Sequence, residues 1–441
     1  MKTRFWILIS VLAAILAAGP GTRPALAQFD YIDISNPFLR KVPMAVPVFK
    51  SFSGSAREKV MAVKLARMLA GNLEFTSYFT ILDRGSYLYD PDRSGITAPD
   101  INFGNWTVIG AEMLITGGLK LDGDLLELEL RLFDTFKQKL IAGKRYRGPV
   151  KGRDGMIRRF CSEVIFALTG KRGFFDSRLA FVSNGTGHKE IYVCRFDGKD
   201  VRRMTTYKSI TMLPDWSADG RHLAYVSYRN GRPQIFIHRL ANGRVRSMTK
   251  PGIQITPAWR PGRAELAATL SLSGDQEIYL LTAAGKTIKR LTNSRGIDVD
   301  PTWSPDGKKV AFVSKRSGTP QIYIKDIATG RVARLTYHGR YNTQPSWSPN
   351  GDLIAYSSME QGQINIYVSD IEGNNPVRLT SDQGDNEAPT WSPDGSLIAF
   401  SSTRRGKSRI FVMTRYGTDQ RQLIVLDGEQ SDPSWSPNTM Q

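Results

Sequence analysis

Residue types that usually carry catalysis are sparse in this chain and poorly spaced for it. The four histidines, His188, His222, His238 and His338, hold four different positions of the repeat described below, and no two stand four apart as on a zinc-binding helix. They read as surface residues. No Gly-x-Ser-x-Gly stretch occurs, so a hydrolase nucleophile elbow is missing, and no Gly-x-x-x-x-Gly-Lys-Ser/Thr loop offers a phosphate cradle. Cys161 falls on the apolar face of an expected helix and reads as inert core, whereas Cys194 shares a repeat column with His238, Leu281, Lys325, Ser369 and Met413 that reads as variable and partly exposed. An exported compartment would permit a disulfide between them, but nothing in the sequence brings the two together.

Charge is patterned more clearly. Asp298, Asp300, Asp385, Glu387, Glu429 and Asp432 fall where one repeat runs into the next, and Arg229, Arg232, Lys315, Arg316, Arg404, Arg405 and Lys407 fall in mid-repeat loops. Two readings are open: solvated turn charge, or an acidic channel mouth, able to hold a cation such as calcium, inside a basic collar that docks a partner. No other cofactor is implied.

The elements that would position these charges come from a repeat. Trp216, Trp259, Trp303, Trp347, Trp391 and Trp435 recur at intervals of 43 or 44 residues, and Ala224, Ala267, Ala311, Ala355 and Ala399 each follow eight residues later. Glycines recur too, each four residues before an isoleucine that opens an apolar strand, as in Gly318 and Ile322. Each unit reads as four short strands separated by Gly-rich turns, the first turn being Ser-Pro-Asp-Gly as at Ser304 to Gly307, where Pro presets φ and Gly accepts a positive one. Four strands per unit at this period predict a β-propeller of six blades. The first unit, with Ala180, lacks a Trp strand, while Pro433-Ser434-Trp435-Ser436 has no unit after it, so the last strand is expected to complete the first blade and close the ring. The Trp column is read as packing between sheets rather than as a ligand platform.

Between Gln28 and Asp176 this period is absent. The expected order is strand 43–49, helix 56–70, strand 79–82, a short helix near Trp106, strands 112–121, 124–134 and 139–147, and helix 154–168: a small sheet packed on helices. Residues 28–40 form an arm whose Phe29, Tyr31, Ile32 and Ile34 could pack on the protein itself or add to a partner's sheet.

At 441 residues the chain is too long for one ordinary domain, and 41% hydrophobic with 23% charged residues is globular rather than disordered composition. A net charge of +19 alone would point to nucleic acid, an anionic membrane or an acidic protein. The first residues narrow this choice. Lys2 and Arg4, the apolar run Phe5 to Ala18 and the small residues Ala25-Leu26-Ala27 read as a secretory signal cleaved after Ala27, and the run is too short to span a membrane. Export removes nucleic acid from the expected partners. The division read from the sequence is a signal peptide 1–27, an N-terminal arm 28–40, an α/β domain 41–170, a linker 171–177 and a six-bladed propeller 178–441.

This order of parts, the repeated Trp-Ser-Pro-Asp-Gly and the stretch from Ile32-Asp33-Ile34 to Val42-Pro43-Met44-Ala45-Val46-Pro47-Val48-Phe49 resemble, over the whole chain, the TolB family of the Gram-negative Tol-Pal system. The resemblance implies a periplasmic adaptor and not an enzyme, working in outer-membrane integrity and cell division. It implies that a propeller face binds the peptidoglycan-associated lipoprotein Pal and that the mature N-terminus engages TolA. Carried over by position, the Pal surface is Met212, Leu213, Ile253, Ile255, Thr256, Val299, Asp300, Thr343, Gln344, Glu387, Ala388, Ser431 and Asp432, and the TolA segment is Gln28, Phe29, Asp30, Tyr31, Ile32, Asp33 and Ile34. The second unit departs from the pattern, reading Thr256-Pro257-Ala258-Trp259-Arg260-Pro261-Gly262-Arg263 without the turn Asp. The rival readings are a propeller-gated peptidase and a propeller that binds a carbohydrate or small molecule.

Overall fold

The computed structural model describes residues 40–438, so the expected signal peptide and the segment Gln28–Ile34 lie outside the described residues. The N-terminal elements are β1 (Val42–Ala45), β2 (Lys50–Ser51), α1 (Ala56–Phe75), β3 (Phe79–Ile81), α2 (Gly104–Thr107), β4 (Met113–Asp122), β5 (Leu125–Asp134), β6 (Lys139–Pro149) and α3 (Arg153–Thr169). The sheet runs β3-β1-β4-β5-β6, with β2 also paired to β4. Period-two alternation drives β5 into it: Leu126, Leu128, Leu130 and Leu132 are fully buried under the helices, while Glu127 and Glu129 on the other face pair with Arg145.

Two expected elements differ. Strand 43–49 is split, because Pro47 has no N–H to give a ladder, and pairing with β4 resumes only at Lys50. Helix 56–70 runs five residues further through Gly71 and Asn72, since burial of Leu73 and the packing of Phe75 outweigh their weak helix propensity. At the start of α1, Ser55 accepts from the backbone N–H of Glu58 at 3.3 Å. The Glu58 side chain is wholly buried and accepts from Ser51 Oγ at 2.8 Å, Ser53 N at 3.0 Å and Leu121 N at 2.7 Å, tying helix, loop and sheet together.

The rest of the chain forms six four-stranded sheets. Their inner strands are Thr211–Trp216, Gln254–Trp259, Asp298–Trp303, Tyr341–Trp347, Asn386–Trp391 and Gln430–Trp435. The last of these pairs antiparallel with Arg178–Ser183, matching Gln430 to Ser183 and Trp435 to Leu179, so the C-terminal strand completes the first blade. Trp435 Nε1 donates to Ser177 Oγ at 2.8 Å and Ser436 N to Arg178 O at 2.8 Å, which locks the closure. The tryptophans are 5–7% exposed, and Trp216, Trp303 and Trp391 donate Nε1 to the inner strand of the preceding blade at 3.0–3.1 Å. The column is inter-blade packing. The six alanines, Ala180 included, are fully buried where no larger side chain fits.

In regular turns the Ser hydroxyl bridges the Asp and the strand that follows, as Ser304 does to Asp306 at 2.6 Å and to Lys309 N at 2.9 Å. Where the turn Asp is lost, Arg260 takes a different part: it donates to Gly307 O on the next blade at 2.9 and 3.1 Å and stacks on Trp303 at 4.8 Å.

The α/β domain and first blade share one core. Phe75 of α1, Phe174, Phe196 and Trp435 meet edge to face at 5.4–6.2 Å. Beside them Arg421 stacks on Phe75 at 4.7 Å and pairs with Asp419, which also binds Lys41 at 3.1 Å. Among the described residues no helix is long and apolar enough to cross a membrane.

Candidate functional site

Each inner strand approaches the axis through the same irregularity. Leu213, Thr256, Asp300, Gln344, Ala388 and Asp432 have φ between +48° and +54°, each precedes a proline, and at each the ladder to the second strand slips by a residue. A β-bulge of this kind bends the strand and re-aims its side chains. A positive φ is costly for non-glycine residues, most of all for the β-branched Thr256, and such strain persists only where surrounding structure enforces it. The six bulges with the residues after each proline enclose a channel of about 170 Å³.

Side chains in the channel stitch one blade to the next. Asp215, directly after its proline, accepts from Trp259 N at 2.7 Å; Thr302 and Thr390 do the same for Trp347 N and Trp435 N at 3.4 and 3.2 Å. At the bulge level Gln344 Oε1 accepts from Ala388 N at 2.9 Å. The channel wall is therefore rigid.

Its carboxyls hold protons unusually well. Desolvation raises Asp215 to about 7 despite hydrogen bonds from the Trp259 and Trp216 backbone. Asp300 is raised to about 6, by desolvation first and by the charge of Asp432 second, with a backbone bond from Gln344 opposing. Desolvation also raises Asp432, against the pull of Lys189, and raises Glu387, where Asp385 and Asp432 add to it.

Of the residues expected at a partner surface, Leu213, Thr256, Asp300, Gln344, Ala388 and Asp432 are the bulge residues, and Met212, Ile255, Val299, Thr343, Glu387 and Ser431 each stand just before one. All twelve gather at one mouth of the channel. Ile253 lies immediately before its inner strand and is 38% exposed. With Ile210, 47% exposed, it makes the rim apolar around the second and third blades. A cavity of about 440 Å³ opens beside it between Lys189, Ile210, Met212 and Tyr228. Asp215 was missed by the sequence reading; its signal is the column between Pro and Trp, which elsewhere holds Ala, Thr or Ser.

Several expectations need correction. Asp298 does not line the mouth: it is fully buried, accepting from Ser294 Oγ at 3.0 Å and pairing with Arg316 at 2.9 Å. The basic collar is likewise only partly free, since Arg229 lies over Tyr207 and Phe236 at 4.4 and 4.3 Å and Arg404 over Phe411 at 4.5 Å. His238 is 8% exposed, not a surface residue, and Cys194 is 2% exposed in the core shared with the α/β domain. Both thiols are free. Among the described residues no three His, Cys, Asp or Glu side chains are placed to hold a metal ion.

The six bulged inner strands around their channel define a six-bladed β-propeller, borne by a chain with an α/β domain packed on its first blade. Residues 166–439 match the model of the TolB beta propeller domain and residues 30–141 that of the TolB amino-terminal domain. The chain belongs to the TolB family. It is 54% identical over 284 residues to the Tol-Pal system protein TolB of Desulfosudis oleivorans, covering 64% of each chain, and 41% identical over 268 residues to the protein TolB homolog of Chlorobium chlorochromatii, covering 61% of this chain and 60% of that one. These matches thus span less than two thirds of the relatives' length. The crystal structure of TolB from Acinetobacter baumannii superposes with a TM-score of 0.80 at 25% identity, over 90% of this chain and 97% of that one.

Proposed function

We propose that this protein is a periplasmic, non-enzymatic adaptor of the Tol-Pal system, whose channel mouth binds Pal and whose segment Gln28–Ile34 engages TolA. In this role it links the inner-membrane Tol complex to the peptidoglycan-associated lipoprotein and supports outer-membrane integrity and invagination during division. The observation that carries the reading is the ring of six strained bulges, which holds hydrogen-bond acceptors at fixed positions beside exposed isoleucines. Its relatives' names supply the system.

A protein partner suits the mouth better than a saccharide. Sites for drug-sized ligands run to ~300–1,000 Å³, whereas the channel holds about 170 Å³, space for single side chains projected from a docked surface. Basic partner side chains would find Asp300 and Asp432 inside.

Pull-down tests the reading. The intact protein should retain Pal, and a variant lacking residues 28–34 should lose TolA while keeping Pal. Failure of the intact protein to bind Pal, alongside saccharide binding, would overturn it.

A further inference from the structure

A second cavity, of about 510 Å³, lies where α3 meets the first blade. It sits at the ends of the strands remote from the channel mouth, since it takes in Arg178 at the start of one strand, Arg195 at the end of the next and Arg202 at the start of the fourth. We propose that this cavity binds an organic phosphate monoester.

Four arginines line it, Arg158, Arg178, Arg195 and Arg202, against two acids, Asp176 and Asp200. Arg158 is engaged with Asp176, and Arg195 with Asp197 at 3.3 Å and Asp200 at 3.5 Å. Arg178 and Arg202 form no ion pair among the described residues, and Arg195 Nε is buried there without a hydrogen-bond partner. Two guanidinium groups are thus left to meet an anion, with a third donor held inside. A phosphate monoester carries about −1.5 to −2 charges at neutral pH, which matches the surplus of two among the lining residues. Guanidinium forks bind phosphate oxygens in pairs.

The remaining wall explains why an ester fits better than the bare ion. Phe175, Val193, Cys194 and Met204 form an apolar side for a carbon body. Burial pushes the Cys194 thiol up to about 12, so it stays neutral and neither repels the anion nor attacks it. The frame is fixed: Ser436 Oγ accepts from Arg178 N at 2.8 Å, which anchors the strand that carries Arg178.

Glycerol 3-phosphate and inorganic phosphate, titrated calorimetrically into the full mature protein, test the site, with co-sedimentation on neutral vesicles doped with phosphatidate as a third arm. The Arg178→Ala/Arg202→Ala variant removes two exposed side chains and should melt as the wild type does. Saturable binding of glycerol 3-phosphate, weakened tenfold or more in the variant, supports a soluble ester; vesicle binding lost in the variant supports a lipid headgroup. Equal binding by both proteins, binding of inorganic phosphate alone, or no binding by the wild type in any arm overturns the proposal.

Discussion

Asp215 Oδ2 accepts a hydrogen bond of 2.7 Å from the backbone N–H of Trp259, one blade further round the ring. The acceptor sits inside the channel and the donor begins the inter-blade Trp packing, so the bond couples the lining of the site to the integrity of the propeller. Asp215 can fill this place whether or not its carboxyl is protonated.

Titration follows from that placement. Asp215 at about 7 and Asp300 at about 6 lie above the ~3.9 of an unfolded aspartate, so the native state binds more protons than the unfolded one between roughly pH 4 and 7. Stability from these groups is therefore gained as pH falls from 8 towards 5 and lost as it rises through their folded values. The melting temperature should climb over that descent, and Asp215→Asn, which keeps an acceptor for Trp259, should shrink the climb and match or exceed the wild type at pH 8. A climb of the same size in the variant would remove Asp215 as its source.

Closure by the last strand predicts a global effect from a terminal deletion. Removing residues 432–441 takes away most of the strand paired with Arg178–Ser183, together with the Trp435 bond to Ser177. The whole propeller should melt at a lower temperature. An unchanged transition would mean that the ring closes elsewhere.

Glu58 supports the α/β domain. Burial opposes its charge, yet the hydrogen bonds from Leu121, Ser53 and Ser51 prevail and hold its carboxyl below the usual range. Glu58→Ala removes the acceptor of two part-buried backbone donors and should cost about 1–2 kcal/mol, read from chemical denaturation. A loss of a few tenths would show that solvent replaces those bonds.

Arg421 fastens the two domains, over Phe75 at 4.7 Å and onto Ser77 Oγ at 3.0 Å. Arg421→Ala should speed tryptic cleavage at Lys171 and Arg172, beyond the end of α3. Cleavage at the wild-type rate would show that the aromatic core alone holds the junction.

Much of the architecture is written in the sequence because it is periodic. The recurring Trp and Ala report blade packing directly, and the unpaired strand at Trp435 reveals how the ring closes. What escaped notice depends on partners distant in the chain. Leu213 and Asp300 read as loop residues before Pro-x-Trp, and the bulge at each is not legible, since a positive φ before proline arises from the slipped pairing with the second strand. Asp298 read as a surface acid because Arg316, which neutralises it, comes from the loop after the adjacent strand. Cys194 reads as partly exposed from its repeat column, whereas in the fold it joins a core shared with the α/β domain and with Phe174 and Phe175 of the connecting segment, partners no column shows. The end of α1 was misplaced for a similar reason, its last turn being held by Leu73 and Phe75 in that shared core.

The most direct measurement is a calorimetric titration of Pal into the wild type and into Asp300→Lys/Glu387→Lys. Both acids stand at the mouth; Glu387 bears no bond of the Asp215 kind, whereas Asp300 accepts one from the Gln344 backbone on the next blade, so circular dichroism is used to select for a folded variant and Glu387→Lys alone serves as the second variant. The account predicts binding weakened at least tenfold, about 1.4 kcal/mol, with the propeller transition retained. Wild-type affinity in the folded variant would contradict it and move the docking surface away from the channel.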